Sequence, residues 1–360
     1  SHSDIIYFLI YKNIYILNQM YSHEKKISNL FNYWLTGTLV LVFMTIIIGG
    51  LTRLTGSGLS ITEWELFKGI LPPLDNESWD NYFNLYKEIP QYKILNSSMS
   101  LQEFKVIFYW EYFHRVLGRI IGIFFLLPLI YFHIKQKIHK NLFLPCYTIL
   151  LLIITQGVVG WYMVKSGLVN DVTVSHYRLS LHLTIAIIII SIIFWLILNL
   201  RNNTNLKFFL VTKSNAPFLL LILFIYFQII LGAFVSGLDA GKIYQTWPLM
   251  GYTYLPNDLI FTDFKNLIDF ENHSLIQFYH RNLAYFLTLY ILALAFFVFR
   301  FGKIKLYKSI FLILFFLLIQ IILGILTLLS GLNIYLASGH QITSVLLVFT
   351  AINLYYSHIK

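Results

Sequence analysis

Leu179-Ser180-Leu181-His182-Leu183-Thr184-Ile185-Ala186-Ile187-Ile188-Ile189-Ile190-Ser191-Ile192-Ile193-Phe194-Trp195-Leu196-Ile197-Leu198 decides the fold class. The stretch holds no Asp, Glu, Lys or Arg. As a helix at 1.5 Å per residue it covers about 30 Å, the thickness of a bilayer's hydrocarbon core. It also carries His182, and a histidine inside an apolar helix points to function by default.

Working outward, apolar spans follow at about 33–52, 106–132, 142–164, 177–199, 216–236, 275–299, 306–330 and 333–357. Over all 360 residues, 58% are hydrophobic and 12% charged, against roughly 25% charged in a soluble domain. That deficit excludes a water-soluble globule and points to an all-α membrane protein of eight transmembrane helices. The net charge of +10 is unevenly placed. The N-terminus, the C-terminus and the short loops near 133–141, 200–215 and 300–308 carry 14 of the 26 Lys and Arg. The much longer alternate loops carry 9. The positive-inside rule therefore puts both termini on the cytoplasmic or matrix side. The single Cys146 cannot form an internal disulfide, so it says nothing of redox compartment.

The spans repeat in order. Gly49, Gly58 and Trp64 return 183 residues later as Gly232, Gly241 and Trp247. Phe113-His114-Arg115 returns as Tyr279-His280-Arg281. Gln156, Gly160 and Ser166-Gly167-Leu168 return as Gln320, Gly324 and Ser330-Gly331-Leu332, and His182 returns as His340. Four crossings are an even number, so the halves insert in the same orientation, as two pseudo-symmetric four-helix bundles. The expected organisation is an N-terminal extension (1–30), a first half (31–200), a linker loop (201–215) and a second half (216–360).

Of eleven histidines, His2, His23, His133, His139, His176, His273 and His358 fall in loops, tails or helix ends, where solvated side chains are the ordinary reading. His114, His182, His280 and His340 fall some five to eight residues inside the outer edge of their spans. In each half the two lie on the second and fourth helices, which run parallel, so they meet at one height. Two facing neutral imidazoles in a bundle core suit a six-coordinate haem iron. Zinc fits less well, because no Cys, Asp or third His joins either pair. One turn on stand the small residues Gly118, Ala186, Ala284 and Ser344, which leave room for a macrocycle. Arg115, Arg178 and Arg281 sit at the outer ends, placed either to pair with haem propionates or to snorkel to the interface.

The halves differ at one position. Glu111 shares a helix face with His114, whereas the matching residue of the second half is the neutral Gln277. A carboxyl at that depth is costly. It serves either as proton carrier or charge stabiliser, or is satisfied by Arg115 or Arg119. The asymmetry assigns chemistry to the first half and a permanent haem to the second. Trp64, Trp79 and Trp247 in the outer loops are expected as aromatic interface anchors rather than pocket caps.

The chain resembles the haem A synthase family. The carrying residues run from Gly49-Gly50-Leu51-Thr52-Arg53-Leu54-Thr55-Gly56-Ser57-Gly58-Leu59-Ser60 through Glu111-Tyr112-Phe113-His114-Arg115 with Gly118-Arg119. They continue with Gln156-Gly157 and Gly160-Trp161-Tyr162-Met163-Val164-Lys165-Ser166-Gly167-Leu168. In the second half they are Gly232-Ala233, Gly237-Leu238-Asp239-Ala240-Gly241, Trp247-Pro248-Leu249-Met250-Gly251, His280-Arg281 and His340-Gln341. The likeness covers about residues 33–357 and is greatest to the alphaproteobacterial and mitochondrial branch. The outer-loop cysteine pair of some other bacterial members is absent.

The resemblance implies oxidation of the haem O methyl group to formyl through hydroxylated intermediates, giving haem A for cytochrome c oxidase. It implies that His114 and His182 hold the substrate haem, with Glu111 essential beside them, and that His280 and His340 hold haem b. It further implies haem O synthase and oxidase assembly factors as partners, with homo-oligomers allowed; nothing points to nucleic acid. The N-terminal extension favours the mitochondrial inner membrane, with a bacterial plasma membrane as the alternative. The competing reading is a non-catalytic b-type electron-transfer cytochrome, which would not need Glu111 in one half alone.

Overall fold

The computed structural model describes residues 29–64, 68–135, 140–169, 171–259 and 264–360, so the expected extension 1–30 and His2, His23 and His139 lie almost wholly or wholly outside the described residues. The described chain is nearly all helix, and no strand occurs in it beyond an isolated bridge between Met250 and Thr253. Eight helices are long and apolar enough to cross a membrane. They are α1 (Asn29–Leu54), α2 (Leu101–Ile134), α3 (Asn141–Gly167), α4 (His176–Arg201), α5 (Ala216–Gly237), α6 (His273–Arg300), α7 (Ile304–Leu329) and α8 (Ile334–Ile359). Each coincides with a span read from hydropathy.

Their ends follow local chemistry. Helix α2 starts five residues before the expected 106, because Ser100 and Glu103 close a capping box ahead of it. His114 therefore lies thirteen residues into its helix, not eight. Asn272 caps α6 through Leu275 N–H, and Asn333 caps α8 through the amides of Tyr335 and Leu336. Pro217 occupies the first turn of α5, where its missing N–H leaves no bond unmade.

Helices α4 and α8 are central: 56% and 50% of their apolar windows are buried, against 11% for α3 and α7. Helix α8 is also the least apolar of the eight, as an interior helix with polar work can be. The most extensive packing joins α7 to α8, α4 to α5, α5 to α6 and α3 to α4, and α5 also meets α8. Helix α1 runs antiparallel to α2, since Trp34 Nε1 donates to the Phe124 carbonyl (3.0 Å) and Thr52 Oγ1 to that of Trp110 (3.1 Å). One continuous apolar core takes residues from all eight helices.

A second, smaller core lies at the other end of α2. Helices Asn76–Lys87 and Pro90–Leu95 pack Trp79, Phe83, Tyr86 and Ile89 onto Phe104, Ile107 and Phe108 of α2. Trp79 is thus buried rather than an interface anchor: it meets Phe108 edge-on, and the Lys105 ammonium sits over its ring. Trp64 and Trp247 are exposed. Burial pushes the Tyr86 phenol above its usual pKa.

Candidate functional site

The four expected histidines come together in two pairs. The His114 and His182 ring centres are 6.3 Å apart with planes at 74°; those of His280 and His340 are 6.5 Å apart at 77°. Two imidazoles on opposite sides of one metal ion, each nitrogen about 2 Å from it, put their ring centres about 6 Å apart. Both pairs therefore fit an axially ligated haem iron. All four histidines are only half-buried, so their rings border open space. A Cβ at Gly118, one turn beyond His114, would meet nothing within 4 Å, which leaves room beside that ring. His114 Nδ1 and His182 Nδ1 are buried without hydrogen-bond partners. His340 Nδ1 lies 3.1 Å from the Gln320 carbonyl, a contact that leaves Nε2 as the ligating nitrogen.

Beside the first pair, Glu111 is fully enclosed. Its Oε2 accepts from Ser60 Oγ (2.7 Å) and Ile61 N–H (2.8 Å), and its Oε1 accepts from Arg115 Nε (3.0 Å) and Nη2 (2.5 Å). Arg115 is held in turn by the Ile61 and Glu63 carbonyls and lies against the Trp64 ring. In the second half Gln277 donates from Nε2 to the Tyr244 carbonyl (3.0 Å), and Arg281 Nη2 donates to the same oxygen (2.9 Å). Ile61 and Tyr244 are themselves 183 residues apart, so the same backbone position serves both sites.

The chain is 47% identical over 321 residues to the haem A synthase of Pelagibacter ubique, covering 88% of this chain and 92% of that protein. It is 42% identical to that of Rickettsia felis over 336 residues and 43% identical to that of Rickettsia canadensis over 338, covering 91% of this chain and 98% of each. A family model described as cytochrome oxidase assembly protein matches residues 32–352. The chain belongs to the haem A synthase family.

Within this member of the haem A synthase family, the remaining candidate arginines make protein contacts. Arg178 Nη1 donates to Ser166 Oγ (2.5 Å) and lies over the Tyr162 ring, and Arg281 also reaches the Leu249 carbonyl. Arg119 donates to the Gly69 carbonyl and, with Arg115, lines a small cleft with Tyr82 and Tyr112.

Three features escaped the sequence reading. Ser60 sits in the glycine-rich stretch after α1, and only the fold brings that stretch over Glu111. Arg53, at the end of α1, donates to the Gly237 carbonyl (3.2 Å) and to Asp239 (3.2 Å), closing the last turn of α5. His176 was expected to be solvated, yet it is buried against Phe234, because Gly237 lets α4 and α5 meet there. The Gly237 signal was available as a glycine in a helix end; its partner was not.

Proposed function

We propose that this chain makes haem A from haem O, oxidising one methyl group to formyl through hydroxylated intermediates. The first half, 31–200, binds the substrate between His114 and His182. The second half, 216–360, joined by the 201–215 loop, binds a resident haem b between His280 and His340. Bound haem supplies the redox chemistry. The chain's own residues orient it and set the charge around it. The observation that carries the reading is the Glu111 network, a carboxylate with four donors beside one histidine pair and a neutral amide at the matching place beside the other.

All four partners of Glu111 donate, so an acid proton on it would have no acceptor among them. That supports fixed charge stabilisation over proton carriage: the carboxylate, backed by Arg115, presents a preorganised field next to His114. Arg115, Arg178 and Arg281 then serve as counterparts for outward-facing carboxylates of the bound group. The enzyme acts in a membrane, with both termini inside. The bacterial source of the similar proteins supports a plasma membrane over the mitochondrial inner membrane.

The test is Glu111→Gln with analysis of the extracted haems. Loss of haem A with retained haem b is expected. Haem A formed at the normal rate would sink the reading and leave a b-type electron-transfer cytochrome.

A further inference from the structure

Each paired histidine packs its Cε1 edge on a glycine of the preceding helix. A Cβ at Gly49 would stand 2.7 Å from His114 Cε1, at Gly160 2.9 Å from His182, at Gly232 3.1 Å from His280 and at Gly324 2.8 Å from His340. Contacts this short exclude a methyl group unless the ring moves, so each glycine sets how deep its imidazole sits.

One turn before three of these glycines, on the same helix face, stands a glutamine that touches the same histidine. Gln156 Nε2 donates to the His182 carbonyl (3.0 Å). Gln228 Nε2 donates to the His280 carbonyl (3.0 Å) and lies 3.1 Å from its Nδ1. Gln320 lies 3.3 Å from His340 Nε2, its carbonyl meets Nδ1, and its Oε1 accepts from Thr343 of α8. These three histidines are held at two points, by a glycine under the ring and a glutamine one turn away.

His114 has the glycine but not the glutamine. The residue one turn before Gly49 is Thr45, whose hydroxyl donates to its own helix at Leu41 (2.8 Å). His114 Nδ1 is left buried without a partner. Groups hydrogen-bonded to a metal-ligating histidine fix its pose, and losing one costs roughly 10–100-fold in affinity. A site that must release its product gains from one loosely held ligand; a site that keeps its haem does not.

We propose that residue 45 is a positioning residue that sets how long the substrate site keeps its haem: with threonine there, His114 is the ligand that lets go. This rests on the assignment of the first pair to the substrate. The measurement is haem transfer from the purified full chain, loaded with haem b at both pairs, to excess apomyoglobin. Two phases are expected, the fast one absent in His114→Ala. Thr45→Gln should slow the fast phase about ten-fold and leave the slow phase unchanged. Gln228→Thr should speed the slow phase alone. Where Thr45→Gln fails to bind haem, Gln156→Leu reads the same device from the other ligand and should speed the fast phase.

An unchanged fast phase in Thr45→Gln, or in Gln156→Leu where that stands in, overturns the proposal. So does a slow phase that moves in step with the fast one. The functional reading fails separately, on the haems extracted from Glu111→Gln.

Discussion

Arg115 lies one helical turn beyond Glu111 and grips one carboxylate oxygen with two nitrogens, while both side chains are almost wholly withdrawn from the surface. Removing one member of such a pair strands the other charge. The cost is about 3–5 kcal/mol for a buried pair. Arg115→Leu should therefore lower the folded yield and melting temperature in detergent more than Glu111→Gln does. The double variant should regain stability without regaining haem A. Equal stability of Arg115→Leu and the parent protein would show that the pair is not under strain from burial.

The two histidine pairs have nearly the same spacing, so geometry alone gives both the capacity for haem. Their surroundings divide the labour. His280→Ala and His340→Ala should lose the resident haem from the reduced-minus-oxidised spectrum. His114→Ala and His182→Ala should keep that signal and lose haem A among the extracted haems. Identical behaviour of all four would end the division.

Periodicity and depth sufficed for the eight helices and the four histidines, because lipid forces both into local sequence: twenty apolar residues per crossing, and polar groups only where they are used. What was hidden depends on contacts between distant segments. Trp79 could be placed only after two short helices closed over α2. Ser60 reaches Glu111 across a turn, and Gly237 matters because of His176 on another helix. Gln228 was invisible to the repeat, since its counterpart is Thr45 and the comparison finds likeness, not loss.

At Gly237 an added Cβ would lie 2.5 Å from His176 Cβ and 2.7 Å from its Cα. The obstacle is the root of a side chain on a packed helix, which cannot swing aside. Gly237→Ala should push α4 from α5 where the halves meet and destabilise the protein by about 1–3 kcal/mol. At Gly122 a Cβ would meet nothing within 4 Å, so Gly122→Ala should be neutral or slightly stabilising. Thermal melting of the two variants side by side checks this, and a tolerated Gly237→Ala would refute the tight contact.

Tyr86 ties the outer cap together. Its hydroxyl donates to Gln91 Oε1 (3.0 Å) and accepts from Asn96 Nδ2 (2.7 Å), and Gln91 goes on to the Gly56 carbonyl (3.2 Å). Burial raises the phenol's pKa, so the folded cap favours the neutral form. Its contribution is fully present below the unfolded value of 10.0 and is lost as pH rises through the higher folded value. Protease access to the segment 76–95, measured after alkaline incubation and return to neutral pH, should stay low until well above pH 10.0. Tyr86→Phe leaves Gln91 and Asn96 without that partner, costing about 1–3 kcal/mol. It should open the cap at neutral pH and remove the alkaline step. A cap that loosens below pH 10.0 in the parent protein, or an unchanged step in Tyr86→Phe, would show that another group holds it.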